Sequence, residues 1–258
     1  MQAADGVTAA GPGDHAGPRG RYGIDGGYGG LAVFTLMEAG LAGTAAWAAR
    51  RHRPAVAALA AAGGAAVAGS AASYLYSTGP GKRAVWAQLL DELGLRGDER
   101  VLDVGCGRGA VLMLAARRVP AGRAVGVDVW RRRALSGNSR AAAERNAVAE
   151  GVRDRVEVAD ADARDLPFAG GSFDVVVSSL AISNIRDAGG RAQALREAVR
   201  VLRPGGRLRI VDQGADRYAA VLREAGCTGV VVRQLDWRTW YGLPGHHIPL
   251  VTATRPPR

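Results

Sequence analysis

Only two cysteines, Cys106 and Cys227, occur in the 258 residues. That excludes a disulfide-stapled scaffold and any multi-cysteine zinc module, and it fits a reducing compartment. Four histidines, His15, His52, His246 and His247, are too few for a histidine-based metal centre, and no metal site is expected. Lysine is scarcer still. Lys82 stands alone among 34 basic residues, so the formal charge of +10 is nearly pure arginine. Such a balance invites an anionic partner, nucleic acid or membrane. Beside so much alanine and glycine, however, it reads mostly as compositional background. Aromatics are few as well, at 5%.

Long apolar runs, in contrast, are present. Residues 1–28 are rich in Gly, Ala, Asp and Pro without periodicity and read as a disordered tail. Gly30–Ala49 then carries one charge, Glu38, and Ala55–Tyr76 carries none. Each is long enough for a helix to cross a bilayer. Arg50, Arg51, His52, Arg53 and Pro54 break them into a helical hairpin over residues 29–77. Neither run shows the polar face of a soluble surface helix. Ala65 and Gly69, four apart, suit close helix approach in lipid, with Glu38 in the hairpin interface or near water. Counting cations at the two ends, Arg19, Arg21, Lys82 and Arg83 against Arg50, Arg51 and Arg53, places the main domain on the cytoplasmic side.

Residues 78–258 change character. Ala84–Leu93 reads as an amphipathic helix, and strand–helix alternation follows. Strands are expected at 100–104, 123–129, 155–159, 173–179 and 207–212, with helices at 110–118, 139–150, 191–202 and 216–225. Two further strands, 229–235 and 247–254, come with no clear helix between them. This pattern predicts a doubly wound parallel sheet closed by an antiparallel edge hairpin.

The chemistry gathers at the strand ends. In Val101-Leu-Asp-Val-Gly-Cys-Gly-Arg-Gly109 a buried strand carries Asp103, and Gly105, Gly107 and Gly109 lead into a helix. Bare backbone there lets an adenosine-type ligand approach the first strand–helix turn. The letters also satisfy a dinucleotide fingerprint. Asp103 beside the cradle suits a ligand with a cationic amino group better than a pyrophosphate. Asp128, near the end of the second strand, is placed for a ribose diol. Asp162, after the third strand, is placed for an adenine amino group, with Ala163 supplying a backbone N–H; either Asp162 or Asp165 alternatively caps a short helix.

Val101–Gly109, Val125-Gly-Val-Asp128, Asp160–Phe168, Ser172–Ser179 and Leu202-Arg-Pro-Gly-Gly206 together resemble the class I SAM-dependent methyltransferases of the ubiquinone/menaquinone-biosynthesis type. The resemblance covers about 84–254. It implies a Rossmann-like seven-stranded sheet of order 3-2-1-4-5-7-6 with strand 7 antiparallel, and S-adenosylmethionine as cofactor. It also implies that Asp103, Gly105, Cys106, Gly107 and Gly109 line the methionine and ribose part, that Val129 or Trp130 covers adenine, and that Ser179 lies under the amino-acid moiety. More narrowly, Tyr22-Gly-Ile-Asp25, Tyr74-Leu-Tyr76, Ser136-Gly-Asn138-Ser and Ser178–Ile185 look like a bacterial group of membrane-associated methyltransferases. Those proteins often have His where this chain has Ser183.

Methyl transfer asks mainly for alignment, and a general base is optional. Ser183, Asn184 and His246 are the candidate polar groups near the reacting end, and His247 shares the last loop. No Asn/Asp-Pro-Pro-aromatic tetrapeptide or RNA-binding module accompanies the domain, and nucleic acid is not favoured as a partner. A membrane hairpin favours a small apolar or lipid-like acceptor, and SAM synthesis in the cytoplasm places the domain on that side. Two rival readings share the same motifs: an RNA methyltransferase whose hairpin packs on its own core in the cytoplasm, and a non-catalytic SAM- or SAH-binding protein. Arg131–Arg133 follows the ribose-binding strand as a solvated turn or a contact for headgroups and phosphates. Nothing in the sequence fixes the oligomeric state.

Overall fold

The computed structural model describes residues 19–242 and 247–257. The sheet has the order β3-β2-β1-β4-β5-β7-β6. Its strands are β1 (Arg100–Val104), β2 (Arg123–Asp128), β3 (Val156–Asp160), β4 (Phe173–Ser179), β5 (Leu202–Val211), β6 (Thr228–Gln234) and β7 (Pro249–Thr254). β1 to β5 pair in parallel, and β7 runs antiparallel to both β5 and β6. This is the expected architecture, with strand bounds mostly within a residue or two. β5 is longer at its start, because Leu202 pairs with Phe173 of β4 and residues 203–206 fill the register shift before Arg207, with Gly205 and Gly206 bonding the Arg255 backbone.

Both faces of the sheet are covered, which is why the central strands read as continuous apolar runs. Val101, Val175, Val177 and Leu250 face one core with α3 (Lys82–Asp91) and α4 (Ala110–Arg118). Leu102, Val104, Val176, Ile210 and Val251 face the other, with α6 (Ala188–Val201) and α7 (Ala215–Glu224). α5 (Arg140–Ala149) closes the β2–β3 crossover, and Ser139 caps it by accepting from the Ala142 N–H at 3.2 Å.

Two apolar helices, α1 (Gly29–Arg50) and α2 (Pro54–Tyr76), precede the sheet and pack against each other. Only 6% of the apolar window of α1 and 11% of that of α2 is buried. Close approach occurs at Gly63 and Gly64, where an added Cβ would meet Leu41 Cδ2 at 3.3 Å and Glu38 Oε2 at 3.4 Å. Gly69, expected at that contact, faces open space: a Cβ there would meet nothing within 4 Å. Glu38 lies in the interface, as expected, with Oε1 buried and without a partner. α2 does not stop at Gly79. A π-helical stretch, Ser77–Gly81, carries it into α3, so 54–91 is one 38-residue rod. Widened turns of this kind absorb the proline at position 80.

The tail expectation for 1–18 falls outside the described residues. Gly20–Gly27, the rest of that stretch, is a strap held on the domain, which corrects the expected end of the tail. The Gly20 N–H donates to Glu150 Oε1 at 3.1 Å, and the Arg21 N–H to Asn146 Oδ1 at 3.0 Å. The Asn146 amide donates back to the carbonyls of Arg21 (2.9 Å) and Arg108 (2.8 Å). Asn146→Ala leaves these backbone groups without partners. We expect a loss of roughly 1–3 kcal/mol in chemical denaturation, with faster tryptic cleavage at Arg21.

Candidate active site

The carboxyl ends of β1, β2 and β4 open into one cleft, at the edge where an α/β sheet binds its ligands. Its floor is the turn after β1. Gly105 (φ +75°) and Gly107 (φ +55°) hold left-handed conformations that side chains resist. A Cβ on Gly105 would stand 2.1 Å from the Ala181 Cβ, and one on Gly107 would stand 2.7 Å from Leu135 Cδ2. Both glycines are therefore required by packing as well as by backbone.

Asp103 is fully buried at the end of β1, and neither carboxylate oxygen has a hydrogen-bond partner. Burial, and second the Asp128 carboxylate, push its carboxyl up to about 7, while the Leu112 backbone N–H and then Lys82 pull it back. Asp128 ties the first two strand turns together. Its Oδ2 accepts from the Gly107 N–H at 2.8 Å, and its Oδ1 accepts from the Trp130 N–H at 2.6 Å and from Asn138 Nδ2 at 3.3 Å. Burial, with Asp103 and Asp128 beside it, raises the Cys106 thiol well above its usual range and keeps it inert.

The cleft brings together Asp103, Gly105, Cys106, Gly107, Asp128, Val129, Asp162, Ala163, Ser179 and Asn184, all expected site residues. Gly109 lies one step beyond it as the left-handed residue that opens α4. Trp130 (φ +57°) is not among the lining residues, and its indole N–H donates to Asp160 instead. Asp162 is clamped by Arg164 through Nη2 at 2.7 Å and Nε at 3.0 Å, and this pairing lowers its carboxyl. It also accepts from the Arg164 N–H at 2.9 Å within a turn, and no helix follows for it or Asp165 to cap, which corrects that alternative. Ser179 Oγ accepts from the Trp86 indole at 3.0 Å. Ser183 lies outside the cleft, its N–H donating to the buried Asp212 at 2.9 Å. The Asn184 amide is committed to the Leu180 carbonyl at 2.7 Å. His246 is outside the described residues, and His247 packs edge-on against Trp240.

Three lining residues come from segments that sequence reasoning left without a site role: Tyr22 and Asp25 of the strap, and Lys82 of the rod. Asp25 Oδ1 accepts from Lys82 Nζ at 2.5 Å, and its Oδ2 accepts from the Tyr241 hydroxyl at 3.0 Å. Its carbonyl accepts from the Tyr74 hydroxyl near the end of α2. One aspartate thus joins the strap, the rod and the β6–β7 connection. The signals were Tyr22-Gly-Ile-Asp25 itself and the chain's lone lysine.

Residues 101–206 match the family described as a methyltransferase domain. The similarity is thus to a methyltransferase domain, over this stretch. The chain is 38% identical over 153 residues to Methyltransferase GfsG of Streptomyces halstedii, covering 58% of this chain and 51% of the relative. It is 37% identical over 133 residues to the ubiquinone/menaquinone biosynthesis C-methyltransferase UbiE of Dinoroseobacter shibae, covering 51% and 50%. The chain thus spans about half the length of each relative. A solved SAM-dependent methyltransferase from Aquifex aeolicus superposes with a TM-score of 0.51 at 21% identity, over 65% of this chain and 88% of that one. The domain has the fold that SAM-dependent methyltransferases share.

Because the folded protein holds the Asp103 proton to about pH 7 and the unfolded chain releases it near 4, the folded state binds more protons between these values. Stability of the ligand-free protein therefore falls as pH rises from about 4 to 7. In Asp103→Asn this segment should flatten, leaving the variant more stable at pH 8 by roughly 1–4 kcal/mol in urea titrations.

Proposed function

We propose that this chain is an enzyme that moves the methyl group of S-adenosylmethionine to a small, apolar or membrane-associated acceptor. In this reading the hairpin lies in the bilayer and the methyltransferase domain faces the cytoplasm. The observation that carries the cofactor assignment is Asp103. A buried carboxylate with both oxygens unpaired is costly unless a cation meets it. An α-ammonium group at the end of β1 supplies that cation, and a pyrophosphate would be repelled.

The remaining residues fit the same molecule. Asp128 has about four acceptor positions and uses three, the longest contact being 3.3 Å, so Oδ2 keeps room for a ribose hydroxyl. Val129 and Ala163 offer apolar surface and a backbone N–H to an adenine. Lys82, on the same wall as Asp103, suits the carboxylate of the amino-acid end. When bound, SAM supplies a methyl group on a sulfonium, which leaves behind a neutral thioether.

The chain's contribution is alignment. The Asp128 bridge fixes the turn, and the Asp25–Lys82–Tyr241 cluster fixes the strap and rod beside it. Well-oriented reactions gain up to about 7–11 kcal/mol from such positioning. Ser183 and Asn184 are engaged elsewhere, so no acid–base step is assigned to them.

The acceptor class rests on the hairpin. Its helices are 22 and 23 residues long, about 33 Å at 1.5 Å per residue, which matches a hydrocarbon core of about 30 Å. Their windows have mean hydropathies of 1.4 and 1.7 and are left almost entirely uncovered. Tyr28, Tyr74, Tyr76 and Trp237 lie at the domain end and Trp47 at the turn, where interfacial aromatics belong.

Isothermal calorimetry tests the cofactor. Asp103→Asn and Asp128→Ala should each weaken SAM binding at least tenfold, and unchanged affinity in both would refute the assignment. Carbonate washing tests the hairpin. The full chain should stay in the membrane pellet, and complete release would remove the membrane part of the reading.

A further inference from the structure

Six arginines gather where the hairpin leaves the domain. Strap and β2–α5 turn run side by side there: the Gly26 N–H donates to the Ala134 carbonyl at 2.8 Å, and the Ser136 N–H to the Ile24 carbonyl at 3.0 Å. This pairing sets Arg132 and Arg133, both exposed, opposite Gly27, two residues before α1. On the other side of the strap, Asn146 bonds both the Arg21 and Arg108 backbones and so draws Arg21, Arg108 and Arg145 together. Arg19 precedes them on the same strap.

The group is uncompensated. The carboxylates of the same segments are already engaged: Glu150 by Arg117 and Arg83, Glu144 by Arg140, and Asp25 by Lys82. Among the described residues none of the six forms an ion pair, and Arg108 Nε is buried without any partner. Burial lowers the Arg108 guanidinium first, and Arg145 and Arg21 nearby lower it further, against an opposing effect of Tyr28.

The cluster also has a level. It lies at the start of α1, beside Tyr28, which is 70% exposed. Tyr76 and Trp237 stack at the same end of the hairpin, with ring centroids 5.2 Å apart. Exposed cations next to an aromatic girdle and an apolar hairpin are placed where headgroups lie. Arg108 lines the cleft, while the other five spread over strap, turn and α5 and do not converge on one pocket, which favours a surface over a single free anion.

We propose that Arg19, Arg21, Arg132, Arg133 and Arg145, with Arg108 behind them in the cleft wall, form a docking surface for anionic phospholipid headgroups, which seats the cleft against the leaflet. This rests on the hairpin being in the bilayer. Tyr22 and Asp25 wall the cleft between Arg21 and the paired turn, so lipid contact also steadies that wall.

The test uses the full chain in phosphatidylcholine vesicles with traces of acyl-labelled phosphatidylglycerol or phosphatidylcholine, reading energy transfer from tryptophan. We expect phosphatidylglycerol to be enriched about tenfold around the protein, since each arginine adds appreciably near an anionic surface. The preference should fall to near parity in Arg21→Gln/Arg132→Gln/Arg133→Gln and in high salt. It should persist in Arg196→Gln/Arg217→Gln/Arg223→Gln, which removes the same charge from α6 and α7. Equal transfer from both lipids in the wild type would overturn the proposal and leave the hairpin reading intact. RNA binding by the detergent-solubilised chain that the first variant abolishes, with no lipid preference, would overturn it too. Transfer from neither lipid would remove the membrane reading and this proposal with it.

Discussion

A carboxylate buried at the floor of the cleft, with no side chain bonded to it, is the constraint around which this site is arranged. Asp103 sits on β1, the strand flanked by β2 and β4. Every nearby element responds to its charge. Asp128 adds a second negative group but spends it on the Gly107 and Trp130 amides. Lys82 offsets part of the field while bonded to Asp25. Asp103 and Asp128 lie together at the floor of the cleft, while Arg108, Arg131 and Arg164 join Lys82 among its lining residues.

The second organising feature is mechanical. α2 passes through the π-helical stretch into α3 without a break, so the apolar hairpin and the first helix of the domain form one rod. Lys82 lies on that rod, Asp25 on the strap, and Tyr241 on the β6–β7 connection, and they meet on one carboxylate. Gly81 permits the contact, since a Cβ there would stand 2.6 Å from the Arg238 carbonyl. Hairpin and cleft are thereby joined through one rod, whose Lys82 lines the cleft.

Most of the sheet was legible because its signals are local. Val101–Val104 is a buried run with the nucleotide-site glycines directly after it, and the missing helix before 247–254 announced the antiparallel edge. The strap was not legible, because Gly20–Gly27 has the composition of a tail and its partners, Glu150 and Asn146, lie more than a hundred residues away. The rod was missed because Gly79 and Pro80 normally end a helix, whereas a π turn tolerates them. The hairpin contact was misplaced from Gly63–Gly64 to Ala65 and Gly69, since a helix apolar on all sides gives no face to read. Trp130 adjoins the adenine-side strand in sequence, but its positive φ carries the indole to Asp160.

The most direct measurement follows the methyl group. Membranes containing the full chain would be incubated with methyl-labelled SAM and then separated into organic-soluble small molecules, protein and RNA. The account predicts label in an organic-soluble small molecule, dependent on Asp103. Label recovered in RNA, or no label leaving SAM across a complete lipid and metabolite extract, would contradict it.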